Sequence, residues 1–181
     1  VNLPNAISLG RFMSVPVAVL LILFDRYQEA LWLFVVAALS DAVDGFIAKQ
    51  FDMATTLGAY LDPIADKSLL VGVYIALAHE GALPVWLVIL VCFRDLSIVG
   101  GVLLLHALTA TKHIVEPMIL SKINTLAQLV LAGLTLAALA YGWDDRGAAT
   151  LMVYAVAATT VGSGFAYLVR MLQRGDLEGV P

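Results

Sequence analysis

Asp41, Asp44, Asp62 and Asp66 fall within SDAVDGFIAKQFDMATTLGAYLDPIADK, residues 40–67, in surroundings that are otherwise strongly apolar. The first two are three residues apart and the second two four apart, so on helices each pair shares one face. Two antiparallel helices would bring the pairs into one pocket. Carboxylates that close raise one another's pKa unless cations intervene, and Lys49 and Lys67 alone cannot neutralise four anions. Divalent cations fit this demand. No histidine or cysteine lies among the four, and an all-oxygen set favours Mg²⁺, Mn²⁺ or Ca²⁺ over zinc. Two such ions would clamp a diphosphate and stabilise both the attacking and the leaving oxygen of a phosphoryl transfer. The alternative is a buried charge network or a proton path.

Near the centre of a membrane span an ionised aspartate costs about 2.5 to 3.5 kcal/mol, so four unpaired ones would cost about 10 to 14 kcal/mol. That rivals the whole stability of a domain, about 5 to 15 kcal/mol, and compensation is therefore required. Small residues lie beside the carboxylates. Gly45 and Ala48 extend the face of Asp44, and Gly58 lies one turn before Asp62, so a base or ribose can approach both backbones closely. Alone, such residues would read as ordinary close packing of membrane helices.

The elements that must hold these residues follow from composition. Of 181 residues, 61% are hydrophobic and 13% charged, and the mean hydropathy is +0.94, which marks an integral membrane protein. At about 20 residues per span the length allows roughly six helices, expected at Ser8 to Phe24, Ala30 to Lys49, Thr55 to His79, Pro84 to His106, Met118 to Tyr141 and Ala148 to Arg170. The expected fold is therefore an all-α bundle of six transmembrane helices forming one domain over residues 1–181, with LPNAISLGRF as a short interfacial lead-in. The single cysteine, Cys92, excludes an internal disulfide framework and a cysteine-rich metal site. The net charge is −4 with few, scattered basic residues, which excludes nucleic-acid binding. With alternating spans, Arg11, Lys49, Lys112, Lys122, Arg170 and Arg174 lie on the side of the N-terminus, and Arg26 and Arg146 on the other. The positive-inside rule then puts both termini and the aspartate site at the cytoplasmic face.

The pattern Asp41-Ala-Val-Asp44-Gly45-Phe-Ile-Ala48-Lys49, followed by Gly58-Ala-Tyr-Leu-Asp62-Pro-Ile-Ala-Asp66, resembles the signature DxxDGxxAR…GxxxDxxxD of the CDP-alcohol phosphotransferase family. The resemblance implies two divalent metals, Mg²⁺ or Mn²⁺, held by Asp41, Asp44, Asp62 and Asp66, with Asp66 also the general base. It further implies that Asp44, Gly45, Ala48, Lys49 and Gly58 seat the CDP moiety. Lys49 stands where the family has arginine, which keeps the charge but loses the bidentate fork to phosphate. The implied reaction is attack of an alcohol on the lipid-bearing phosphorus of CDP-diacylglycerol, with CMP leaving. A homodimer is implied as well.

The signature does not choose the alcohol. LPNAISLGRF, the triplet Phe93-Arg94-Asp95 and SKINTLAQ at 121–128 resemble the cardiolipin-forming members of the family, so phosphatidylglycerol is the expected acceptor. Glycerol 3-phosphate, as used by phosphatidylglycerophosphate synthases, is the alternative. Arg94, Lys122, Asn124 and Gln128 are the candidate acceptor residues; against this, Lys122 also suits an interfacial anchor and Arg94 an ion pair with Asp95. The implied location is a bacterial inner membrane, or that of mitochondria. Intramembrane prenyltransferases also use aspartates and Mg²⁺, but in two separate motifs of a longer bundle. A cation transporter would explain the carboxylates but not the spacing of Gly45, Ala48 and Gly58.

Overall fold

A computed structural model describes the backbone of residues 3–51, 56–108, 119–143 and 146–178, and the side chains of 9–40, 67–98, 100, 119–143 and 147–170. Among the described residues the chain is all-helical: α1 Leu3–Leu23, α2 Tyr27–Phe51, α3 Thr56–His79, α4 Val85–Leu108, α5 Ile119–Tyr141 and α6 Arg146–Glu178. Five of the six start within three residues of the sequence expectation.

The exception corrects one expectation. α1 begins five residues before the expected Ser8, and LPNAISLGRF is part of it, because helical backbone runs unbroken from Leu3 to Leu23. Pro4 lies in the first turn, where a missing N–H costs nothing. Pro16 is inside the helix, and the Ser14 hydroxyl donates to the Arg11 carbonyl at 2.6 Å one turn before it. At the other end α6 continues through the polar MLQRGDLE to Glu178, since hydropathy falls there without a helix breaker strong enough to stop the backbone.

Three helices stop by one device. Asp25, Gly81 and Gly142 have φ of 59°, 72° and 68° just beyond α1, α3 and α5. The next N–H in each case reaches back to close the cap: Arg26 to the Leu21 carbonyl at 2.8 Å, Ala82 to Leu77 at 2.9 Å and Trp143 to Ala138 at 3.1 Å. Glycine suits this left-handed position, whereas Asp25 tolerates it through its short polar side chain. All three caps lie at one end of the bundle, opposite the α2–α3 connection.

Helix α1 packs on both α3 and α2, α5 touches α2, α3 and α6, and α4 touches α3 and α6. Thus α1 and α5 each contact both aspartate-bearing helices. α1 and α3 approach closely at Gly72, where a Cβ would stand 2.9 Å from Val15 Cγ1 and 3.4 Å from Val19 Cγ2. Around it Ala18, Ile22, Leu69, Val73, Leu77 and Leu87 form the dry core.

Outside that core the usual pattern is inverted. Met13, Trp32, Ile75, Ile89, Leu126 and Leu151, one from each helix, are exposed, while Arg94, Asp95, Asn124, Gln128 and Thr160 are buried. Two helices of the described residues, Ile119–Tyr141 and Gly147–Arg170, are long and apolar enough to cross a membrane. Leu9–Leu23, Tyr27–Ser40 and Lys67–His79 are shorter apolar stretches.

Candidate active site

Asp41 and Asp44 lie ten and seven residues before the end of α2 at Phe51, and Asp62 and Asp66 six and ten residues after the start of α3 at Thr56. At about 1.5 Å per residue both pairs sit about 10 to 15 Å from the same end of the bundle. Equal depth on two consecutive helices is what a shared site requires of the backbone. The side chains of Asp41, Asp44, Gly45, Ala48, Lys49, Gly58, Asp62 and Asp66 lie outside the described residues. Among the described residues no group of three or more His, Cys, Asp or Glu is placed to hold a metal ion. The donor set of the tetrad is four carboxylates, which fits hard divalent ions such as Mg²⁺ or Mn²⁺.

Immediately beyond Asp66 the described residues hold a buried polar network. Lys67 Nζ is 2.8 Å from Asp95 Oδ2 and 3.4 Å from Thr125 Oγ1. Asp95 Oδ1 takes Arg94 Nη1 at 2.7 Å. Neighbours along a helix normally diverge, and here the long arginine side chain turns back to make the pair. Arg94 Nε donates to Ser163 Oγ at 3.0 Å and Nη2 to Ser121 Oγ at 2.7 Å. One arginine therefore ties α4 to both α5 and α6. Gly164 lies alongside it, where a Cβ would stand in ordinary contact with Arg94 Cγ at 3.6 Å. Arg94 and Asp95 are each 5% exposed, so each charge depends on the other.

The remaining acceptor candidates diverge. Lys122 is exposed. Asn124 and Gln128 are 0% exposed and one turn apart on α5. Asn124 Oδ1 accepts from Thr159 Oγ1 at 2.8 Å and Thr160 Oγ1 at 2.9 Å. Asn124 Nδ2 and both Gln128 amide atoms have no hydrogen-bond partner. Tyr74 donates to the Gln128 backbone carbonyl at 3.0 Å, which leaves the side chain free for something else. The arrangement thus offers a satisfied charge cluster that begins one residue after Asp66 and, beside it on α5, unsatisfied neutral amides.

Sequence reasoning weighed Lys67 only against the four aspartates and missed its pairing with Asp95, and it missed Ser121, Thr159, Thr160 and Ser163 as participants. For Lys67 the signal was present: an apolar span carrying Asp95 needs a cation, and α3 supplies one. The α6 hydroxyls gave no signal, because Ser and Thr are ordinary at membrane-helix contacts.

A helical bundle whose two consecutive helices carry paired aspartates at one depth, with a buried polar cluster beside an apolar core and an apolar exterior, is the class defined here. The family model of CDP-alcohol phosphatidyltransferases matches residues 1–162, and the chain belongs to that family. It is 33% identical over 182 residues to a cardiolipin synthase (CMP-forming)/mitochondrial hydrolase fusion protein of Schizosaccharomyces pombe, covering 93% of this chain and 31% of that protein. It is 33% identical over 189 residues to a chloroplastic CDP-diacylglycerol–glycerol-3-phosphate 3-phosphatidyltransferase of Oryza sativa subsp. japonica, covering 95% and 57%. It is 32% identical over 182 residues to a cardiolipin synthase (CMP-forming) of Rattus norvegicus, covering 92% and 60%. The chain thus spans between about three tenths and three fifths of the length of these relatives.

Proposed function

We infer that the protein transfers a phosphatidyl group from CDP-diacylglycerol to the free hydroxyl of phosphatidylglycerol, releasing CMP and forming cardiolipin. The observation that carries the transferase chemistry is the aspartate pattern on α2 and α3 at one depth, in a chain of this family. The alcohol oxygen attacks the lipid-bearing phosphorus, the bond from that phosphorus to the CMP oxygen breaks, and the hydroxyl proton passes to the Asp66 carboxylate. Asp41, Asp44, Asp62 and Asp66 would hold two divalent ions, which when bound offset charge developing on the leaving nucleotide. Gly45, Ala48 and Gly58 admit the nucleotide close to the backbone, and Lys49 contributes positive charge toward the diphosphate.

The acceptor rests on SKINTLAQ and the Phe93-Arg94-Asp95 triplet. Lys122, exposed at the start of α5, suits a phosphate, and the unpartnered amides of Asn124 and Gln128 suit the glycerol hydroxyls. Arg94 has all three of its nitrogens engaged with protein partners, which favours holding Asp95 over contacting the acceptor. A second reading, with glycerol 3-phosphate as acceptor, is favoured by the name of the rice relative.

All six helices belong to a membrane bundle in this reading. The exposed apolar side chains on every helix support it, and so does a cluster of aromatic residues at the capped end. Trp32, Trp86 and Trp143 are the three tryptophans of the chain and all lie there, with Tyr154 6.2 Å from Trp86 and Tyr141 5.8 Å from Trp143 between ring centroids. Amphipathic rings collect at the bilayer surface. The opposite, lysine- and arginine-rich end with the aspartates then faces the cytoplasm. The reading carries a homodimer with it, checked by the mass of the detergent-solubilised protein. The deciding experiment incubates purified protein with CDP-diacylglycerol, Mn²⁺ and either phosphatidylglycerol or glycerol 3-phosphate and identifies the lipid by mass spectrometry. Cardiolipin is expected; phosphatidylglycerophosphate alone would transfer the assignment to the second reading.

A further inference from the structure

Resting on the reading of Asp66 as metal ligand and base, we propose that Asp95, held between Lys67 and Arg94, is a positioning residue that sets where α3 presents Asp66. Lys67 follows Asp66 directly, so whatever fixes the Lys67 side chain restrains the same turn of α3. What fixes it is Asp95 of α4 at 2.8 Å, with Thr125 of α5 at 3.4 Å. Asp95 in turn cannot shift, because its second oxygen is bound by Arg94 at 2.7 Å and Arg94 is pinned to Ser121 of α5 and Ser163 of α6. Four helices are therefore linked through Asp95 and its two cations, and one of these, Lys67, is next in sequence to the proposed base.

The direct packing of α3 on α4 and α5 is slight compared with its packing on α1. On that side polar contacts, which are directional, hold the register. A carboxylate that must ligate a metal and accept a proton needs its backbone held to within a fraction of an ångström, and such supports are supplied by residues that never touch the substrate. The carboxylate of Asp95 is 5% exposed and committed on both oxygens, so it is a support and not a ligand.

The test uses purified wild type, Lys67→Met, Lys67→Arg, Asp95→Asn and Asp41→Asn in detergent. Mn²⁺ binding is read by electron paramagnetic resonance without substrate, CMP release at saturating Mn²⁺ with phosphatidylglycerol, and thermal unfolding alongside. Lys67→Met is the main variant because Asp95 keeps Arg94 and no lone charge is buried. It is expected to weaken Mn²⁺ binding and lower kcat by about 10-fold or more each, the usual cost of losing such a support. The KM for CDP-diacylglycerol should stay near the wild-type value. Lys67→Arg, which keeps the cation, should recover most of both losses, and Asp95→Asn, if it folds, should match Lys67→Met. Wild-type Mn²⁺ affinity and turnover in Lys67→Met overturns the proposal, as does a Lys67→Arg protein impaired as deeply as Lys67→Met. Asp41→Asn separates the two levels: if it binds Mn²⁺ like wild type, the tetrad reading fails and the positioning role with it. If it loses Mn²⁺ while Lys67→Met does not, the positioning role alone fails.

Discussion

Gly72 of α3 faces Val15 of α1 at a distance that leaves no room for a side chain: an added Cβ would stand 2.9 Å from Val15 Cγ1. Valine is stiff at χ1, so it cannot swing aside, and α1 would have to move bodily. Gly72→Ala is expected to destabilise the bundle by about 1 to 3 kcal/mol, the usual cost of overpacking, despite the better helix propensity of alanine. Thermal unfolding in detergent measures it. A Val15→Ala substitution in the same chain should recover most of the loss, which identifies the clash as the cause.

A second link crosses from α3 to α5, where the fully buried Tyr74 donates to the Gln128 carbonyl at 3.0 Å. Tyr74→Phe keeps the ring and removes only that bond. The carbonyl retains its helical partner, so the expected loss is about 0.5 to 1.5 kcal/mol, with turnover unchanged. Equilibrium unfolding and CMP release, run on the same preparation, check both halves.

The aspartates carry the most direct prediction. Asp41→Asn, Asp44→Asn and Asp62→Asn are each expected to abolish CMP release while the protein still inserts in the membrane. Asp66→Asn is expected to cut turnover deeply and leave CDP-diacylglycerol binding largely intact. Full activity of any of the first three in the presence of chelator would remove the two-metal reading. A parallel collapse of donor affinity in Asp66→Asn would make Asp66 chiefly a ligand and send the search for the base elsewhere.

Much of the fold was legible in the sequence because its apolar runs are long and cleanly interrupted. Apolar runs punctuated by polar turns located six helices, and α3 ends at His79 as expected. The four aspartates stood out as paired carboxylates in an otherwise apolar stretch. What stayed hidden depends on rotation of one helix against another. That Lys67 meets Asp95, and that Thr159 and Thr160 converge on Asn124, is decided by how α3, α4, α5 and α6 turn about their axes. Periodicity is a weak guide when nearly every face is apolar. The continuous start of α1 was missed for a related reason: polar residues in LPNAISLGRF end an apolar run without ending a helix.

At the opposite end of the bundle the Tyr27 hydroxyl donates to Asp25 at 2.7 Å, and this bond, with burial and the nearby negative charges, pushes the phenol from 10.0 up to about 12. Because the folded value is raised, the protonated phenol is the form the fold prefers. Its stabilisation is present below pH 10 and is lost as pH rises through about 12. The tyrosinate absorbance of wild type minus Tyr27→Phe should titrate near the raised value. Asp25→Asn removes the anion and should return the phenol toward 10.0.

Gln128 offers the sharpest test of the acceptor site, because its side chain is fully buried and neither amide atom has a hydrogen-bond partner. An unpartnered buried amide is a standing cost of about 1 to 3 kcal/mol, which a bound ligand's hydrogen bonds would offset. If the amide waits for the acceptor's hydroxyls, Gln128→Leu should leave thermal stability unchanged or raise it, since an apolar side chain of similar size suits the site better. The same variant should raise the KM for phosphatidylglycerol by about 10-fold, the worth of about 1.4 kcal/mol in one hydrogen-bonded contact, and leave the KM for CDP-diacylglycerol alone. Lys122→Gln should also raise the acceptor KM, with an effect that shrinks as salt is added, because an exposed cation is screened and a buried amide is not. A Gln128→Leu protein that melts several degrees lower with both KM values unchanged would instead make the amide part of a hydrated structural seam, and the acceptor's hydroxyls would have to be sought nearer Asp66.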